Sequence, residues 1–142
     1  MFSQTTEYAL RAMLYLASRD GHPKTTELIA EGTLVPTGYL SKILQMMVRA
    51  GLVLSQRGLH GGYSLRKPAE MINLLDIINA VDPLRRIEYC PLGIENHQNE
   101  LCPLHRRIDE AVRNIEEEFR RTSLALVLKE SGDRHPFCES EY

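Results

Sequence analysis

Nowhere does the 142-residue chain reach the roughly 18 to 20 consecutive apolar residues of a helix that crosses a bilayer, so no membrane partner is expected. Its opening residues, MFSQTTEYALR, lack the basic-then-apolar layout of a secretion signal, which makes the cytoplasm the expected compartment. Cysteine is scarce: three residues, an odd number, do not suit an extracellular disulfide scaffold. Two of them lie close together near histidines, an arrangement that in a reducing compartment points to metal binding. Also missing are a nucleotide-binding glycine loop and any base-and-orienter set around a thiol, which argues against an enzyme. Apolar residues make up 43% and charged residues 25%, near the averages of soluble proteins, so the chain is expected to form one compact unit with an appendage.

The scarcity that matters most is of acid. A net charge of −2 conceals two parts of opposite sign. Residues 1–68 carry eight Lys/Arg against four Asp/Glu, whereas residues 69–142 carry nine against fifteen. Between Gly32 and Ala69 there is no acid at all, and that stretch holds Lys42, Arg49, Arg57, Arg66 and Lys67. Such a cluster is what displaces counterions along a phosphate backbone.

Thr6 is placed to cap a first helix with Glu7 in its opening turn, and Ala9, Ala12, Met13 and Leu16 form its apolar stripe before Arg19-Asp20-Gly21 and Pro23 end it. A shorter helix from Thr25 or Thr26 buries Leu28 and Ile29 and stops at Glu31-Gly32, a helix-turn-helix spacing. The third helix buries Leu40, Ile43, Leu44, Met47 and Val48 and stops at Gly51. Its opposite face shows Thr37, Gly38, Tyr39, Ser41, Lys42, Gln45 and Arg49, small or hydrogen-bonding groups with two cations, as a recognition helix requires. Any amphipathic helix has a solvated side; the elements next along the chain decide its use. Val53-Leu54-Ser55 and Tyr63-Ser64-Leu65 read as short strands joined by Gln56-Arg57-Gly58-Leu59-His60-Gly61-Gly62, a glycine-rich hairpin that makes a wing. Arg57 stands at its start, where an arginine enters a minor groove or clamps a phosphate.

Beyond Pro68, Met71, Leu74, Leu75, Ile78 and Val81 keep helical spacing up to Asp82-Pro83. Residues 84–104 form a connection too long for a simple link and contain Cys90, His97 and Cys102. From His105, Ile108, Val112, Ile115 and Phe119 mark a narrow seam on a terminal helix of roughly 24 residues, poorly buried by one small domain, which predicts a two-fold homodimer. The expected fold is therefore mainly α: a winged helix-turn-helix with a small β-hairpin wing over 1–82, a cysteine/histidine loop over 83–104, and a long dimerisation helix over 105–130. A tail over 131–142 is expected to be mobile, with Cys138 a free thiol.

With Glu7-Tyr8-Ala9-Leu10-Arg11, Tyr39-Leu40-Ser41-Lys42-Ile43-Leu44 and Arg57-Gly58-Leu59-His60-Gly61-Gly62-Tyr63 in hand, the chain resembles the winged-helix regulators that include the iron–sulfur cluster regulator IscR and the nitric-oxide-responsive repressor NsrR. The resemblance covers residues 1 to about 129. It implies a dimer whose wing and recognition helix bind a palindromic double-stranded DNA operator, with Gly38, Tyr39, Ser41 and Lys42 on the operator-contacting stretch and Arg57 as the wing arginine. Thr37, His60 and Gly61 complete the DNA-facing set. Ser41 stands where the family often has an acid.

Cluster-binding members of that family space three cysteines Cys-x5-Cys-x5-Cys, sometimes followed by x2-His. Cys90, Cys102 and His105 match the first, third and histidine positions, while Asn96 stands at the middle one. His97 lies beside that gap, and two thiolates with two imidazoles suit a two-iron, two-sulfur (2Fe-2S) cluster or zinc. Glu7 matches a position that in some relatives supplies a carboxylate from the opposite subunit. The implied protein is a repressor and redox sensor of nitric oxide or iron–sulfur status; the alternatives are structural zinc, or no metal and a metabolite or protein signal.

Overall fold

The computed structural model describes residues 2–19, 21–93 and 100–132. Among these described residues, six α-helices and one two-stranded sheet follow in the order α1 (Gln4–Ala17), α2 (Thr26–Thr33), α3 (Thr37–Arg49), β1 (Val53–Gln56), β2 (Gly62–Leu65), α4 (Leu74–Val81), α5 (Pro103–Arg121) and α6 (Leu124–Ser131), with a 3-10 turn at Ala69–Met71 before α4. This is the mainly helical winged helix-turn-helix that the periodicity predicts.

The core gathers on α1. Ala9, Ala12 and Met13 are fully buried there, packed with Ile29 of α2, Leu40, Ile43, Leu44 and Met47 of α3, Val53 of β1, Ile72 and Ile77 around α4, and Leu124 of α6. Alanine at two of those α1 positions lets neighbouring helices approach closely. Gly32 does the same for α2: a methyl there would run into the Tyr15 ring, so this glycine serves packing and does not end the helix. The helix continues to Thr33 and is closed by Leu34 in the left-handed region at φ 57°.

Several boundaries differ from expectation, each for a local reason. Ser3, and not Thr6, caps α1: its Oγ accepts the Thr6 N–H at 3.2 Å, and Thr6 is buried one turn inside the helix. Of the two expected starting points, Thr25 is the cap and Thr26 the first residue of α2, but Leu28 is exposed, since only Ile29 of the pair faces α1 and α3. Met71 is likewise exposed, because α4 begins later, at a reciprocal box in which Asn73 accepts the Asp76 N–H at 2.8 Å and donates its own to the Asp76 carboxylate.

The largest correction concerns the C-terminal helix, which is two helices. At Thr122-Ser123 the backbone turns extended, and Ser123 pairs with Asn73 as an isolated antiparallel bridge: the Leu74 N–H donates to Thr122 O and the Leu124 N–H to Ile72 O, each at 2.9 Å. Backbone groups committed to that bridge cannot continue a helical ladder. Ser123 then caps α6 through the Leu126 N–H at 3.1 Å.

Candidate nucleic-acid interface and cysteine segment

The α2–Leu34–α3 unit presents α3 with its apolar side down. Leu40, Ile43, Leu44 and Met47 are buried, so Thr37, Gly38, Tyr39, Lys42, Gln45 and Arg49 face solvent, and Ser41 is half-buried. The N-terminus of α3 is open: Pro36 at the cap offers no side-chain acceptor, and there is no acid in the first turn. Uncapped N–H groups at the positive end of a helix suit a phosphate. A methyl on Gly38 would meet nothing within 4 Å, so no contact among the described residues requires glycine there. Ser41 donates its hydroxyl to Thr37 O at 3.1 Å, which leaves its oxygen to accept. Tyr39 is held edge-on by the Tyr8 ring at 5.8 Å, and Tyr8 in turn accepts from Gln4 Nε2 at 2.8 Å.

The wing is braced from a side the hydrophobic pattern does not reveal. Lys24, in the α1–α2 connection, exchanges both backbone hydrogen bonds with Tyr63, at 2.9 and 2.8 Å, adding a bridge to the outer side of β2. Gly62 makes that approach possible: it sits at φ 146°, and a Cβ there would strike the Lys24 carbonyl. Strands β1 and β2 pair in the register Val53↔Leu65 to Gln56↔Gly62. Arg57 and His60 emerge exposed from the turn, whereas Gly61 lies beneath the Gln56 carbonyl and is required by the turn itself. Tyr8 and Lys24 are the supporting residues of this surface that sequence reasoning did not single out; only the glycine pair at 61–62 hinted at the close approach.

Of the candidate metal ligands, the structure brings two together. Cys102 occupies the N-cap of α5, and its Sγ lies 3.1 Å from Nδ1 of His105, one turn on. Cys90 is half-buried in a turn closed by the Gly93 N–H on its carbonyl. Glu7 is paired with Arg11 at 3.0 Å, and both line a cavity of about 480 Å³ with Leu10, Leu14, Leu74, Leu124 and Val127. His97 and Asn96 fall outside the described residues, as does Cys138. Among the described residues no three His, Cys, Asp or Glu side chains are grouped to hold a metal ion, so these residues alone do not supply the four ligands of a cluster or a structural zinc.

The chain leading to Cys90 is clamped to α5. The Arg86 guanidinium donates from Nε and Nη2 to the two oxygens of Asp109, which also accepts the Ile87 N–H at 2.9 Å, and Arg86 reaches Glu116 at 3.5 Å. The hydrogen bonds from Arg86, then that from Ile87, hold the Asp109 carboxyl down to about 2. A carboxylate whose pKa is depressed by folding stabilises the fold above its unfolded value, and that contribution is lost as pH falls through the folded one. Urea midpoints of the wild type are therefore expected to fall more steeply between pH 4 and 2 (roughly, from the ordinary carboxylate range) than those of Asp109→Asn. Parallel curves would show that the clamp carries no such coupling.

No residue of α5 is buried, and Leu104 and Ile108 are exposed along its seam. Among the described residues no helix is long and apolar enough to cross a membrane.

Residues 2–130 match the sequence model of the Rrf2 family, described as an iron-dependent transcriptional regulator. The chain is also similar to solved structures. The global cysteine regulator CymR of B. subtilis is 26% identical with a TM-score of 0.76, over 92% of this chain and 97% of that one. IscR of T. potens is 25% identical with a TM-score of 0.78, over 100% and 94%. CymR of Staphylococcus aureus in an oxidised form is 28% identical with a TM-score of 0.68, over 89% and 94%.

Proposed function

The chain belongs to the Rrf2 family of transcriptional regulators, and from that premise we propose that it is a homodimeric repressor whose α3 and wing bind a palindromic operator under control of the cysteine segment. The observation that carries this reading is the pairing of an uncapped, acid-free α3 N-terminus with a braced wing bearing Arg57. Thr37, Gly38, Tyr39, Ser41 and Lys42 are assigned to the major groove and its phosphates, and Arg57, His60 and Gly61 to the wing contact. Leu104 and Ile108, exposed on α5, support pairing with the same helix of a second copy, which sets two reading heads about one helical turn of DNA apart, ~34 Å.

The test is selection of duplexes from a random library by the full chain, followed by salt titrations of Lys42→Ala and Arg57→Ala. A lost phosphate contact weakens every sequence alike and lowers the slope of log K against log salt by about 0.9, whereas a lost base contact relaxes specificity at one position. If neither variant changed affinity for any selected duplex, this reading face would be wrong.

For the signal, the Cys102–His105 pair and the iron dependence by which the family is described support a metal centre held by Cys90, Cys102 and His105 or His97, with Glu7 from the second subunit. When bound, a two-iron, two-sulfur group would supply a redox-sensitive charge at the start of α5. Anaerobic purification, a visible spectrum, and iron, sulfide and zinc analysis on one sample test it. Iron and sulfide near two per subunit support the cluster; zinc makes the segment a structural clip; no metal points to a metabolite or protein signal.

A further inference from the structure

Leu59 stands at the tip of the wing and is 95% exposed, more than any other large apolar side chain among the described residues. The turn that carries it is tightly built. Gly58 adopts φ 110°, the Gly61 N–H closes onto the Gly58 carbonyl at 3.0 Å, and a side chain at Gly61 would collide with the Gln56 carbonyl. With the strands in register and Lys24 bridged to Tyr63, the hairpin holds Leu59 outward on a braced support.

A lone exposed leucine is common on protein surfaces and needs no explanation by itself. This one is flanked by exposed Arg57 and His60 inside a stretch without acid. The Arg57 cation suits a polyanion, and a charged neighbour is poor surroundings for an apolar protein interface, whose centre is depleted of charge. Within a duplex, the minor groove offers what such a tip needs: walls of sugar C–H groups with phosphates on either side, and base steps that an apolar side chain can part.

We infer that Leu59 is a minor-groove wedge, entering the operator beside Arg57 and bending the duplex at the step it meets. The inference rests on the DNA-reading role proposed above and adds to it a source of specificity that involves no hydrogen bond to a base. Pyrimidine–purine steps, TA and CA/TG, unstack most readily, so the wedge favours sites with such a step under the wing.

The test uses full-length protein and a duplex selected from a random library by the wild type. Leu59→Ala is expected to bind that duplex about tenfold more weakly, from lost apolar burial, with an unchanged salt slope because no phosphate contact is removed. Its bend angle, read by circularly permuted probes, should shrink, and duplexes reselected by Leu59→Ala should lose the pyrimidine–purine step. Leu59→Met should keep most of the affinity and bend. Arg57→Ala, in the same titration, should lower the slope. If Leu59→Ala matched the wild type in affinity and bend while Arg57→Ala was weakened, the wedge would be wrong and the reading face would stand. A salt slope in Leu59→Ala lowered as far as in Arg57→Ala would mean a displaced wing and would also overturn the wedge. Failure of the wild type to select any duplex would remove the reading face itself.

Discussion

Leu124→Ala is expected to cost about 2–5 kcal/mol of stability, read as a shift in urea midpoint at constant m-value. Leu124 is fully buried in the main cluster, although it lies more than a hundred residues from the α1 side chains it packs with. Its backbone N–H also closes the bridge to Ile72. The substitution thus leaves a cavity at the point where α6 is fastened to the α1–α4 body. A domain of ordinary stability holds only about 5–15 kcal/mol in total, so the variant should be marginal at 37 °C. Its effect on DNA is expected to be indirect, through the fraction folded, and affinity should recover on cooling. A loss under about 1 kcal/mol would show that the site collapses around the smaller side chain and that α6 is not integral to the core.

If the proposed metal centre forms, Cys102→Ser is expected to remove its metal and visible colour completely while leaving the metal-free fold as stable as before. Serine is among the best N-cap residues, so the start of α5 is preserved, and its oxygen can still meet His105. It is, however, a poor substitute for a thiolate toward iron or zinc. Operator affinity of the variant should no longer depend on redox state or on added nitric oxide. Metal content and response equal to the wild type would rule out the Cys102 centre. A fall in stability without any bound metal in the wild type would instead make the Cys102–His105 contact a structural one. The comparison separates these cases because the serine keeps the cap and changes the ligand.

Legibility followed distance along the chain. Helix α3 could be read because Leu40, Ile43, Leu44 and Met47 recur at helical spacing and are all buried, and the wing because glycines separate two short apolar runs. At the start of α1 both Ser3 and Thr6 carry the chemistry of a cap, and only the burial of Thr6 decides between them. The break at Thr122-Ser123 was hidden because the helical pattern on either side is continuous, and only the bridge to Asn73, some fifty residues earlier, interrupts it. The metal set was the least legible, since spacing names donors without showing which of them converge.

By itself the sequence determined the order and type of the elements as far as the break at Thr122-Ser123, and the positive, acid-free segment, because both follow from side-chain period and charge, which are local properties. It also carried the Arg-Gly-x-x-Gly-Gly-Tyr wing, because the turn needs those glycines. Tertiary structure alone decided that Lys24 braces Tyr63, that Gly32 is a packing glycine against Tyr15, that Tyr8 steadies Tyr39, and that Arg86 clamps the cysteine segment to Asp109. These pairings join positions separated by 17 to 39 residues, and nothing in either partner's immediate neighbours announces the other. Such contacts exist only once a core has brought the segments together, which is why a linear pattern could place α3 and the wing and not what holds them.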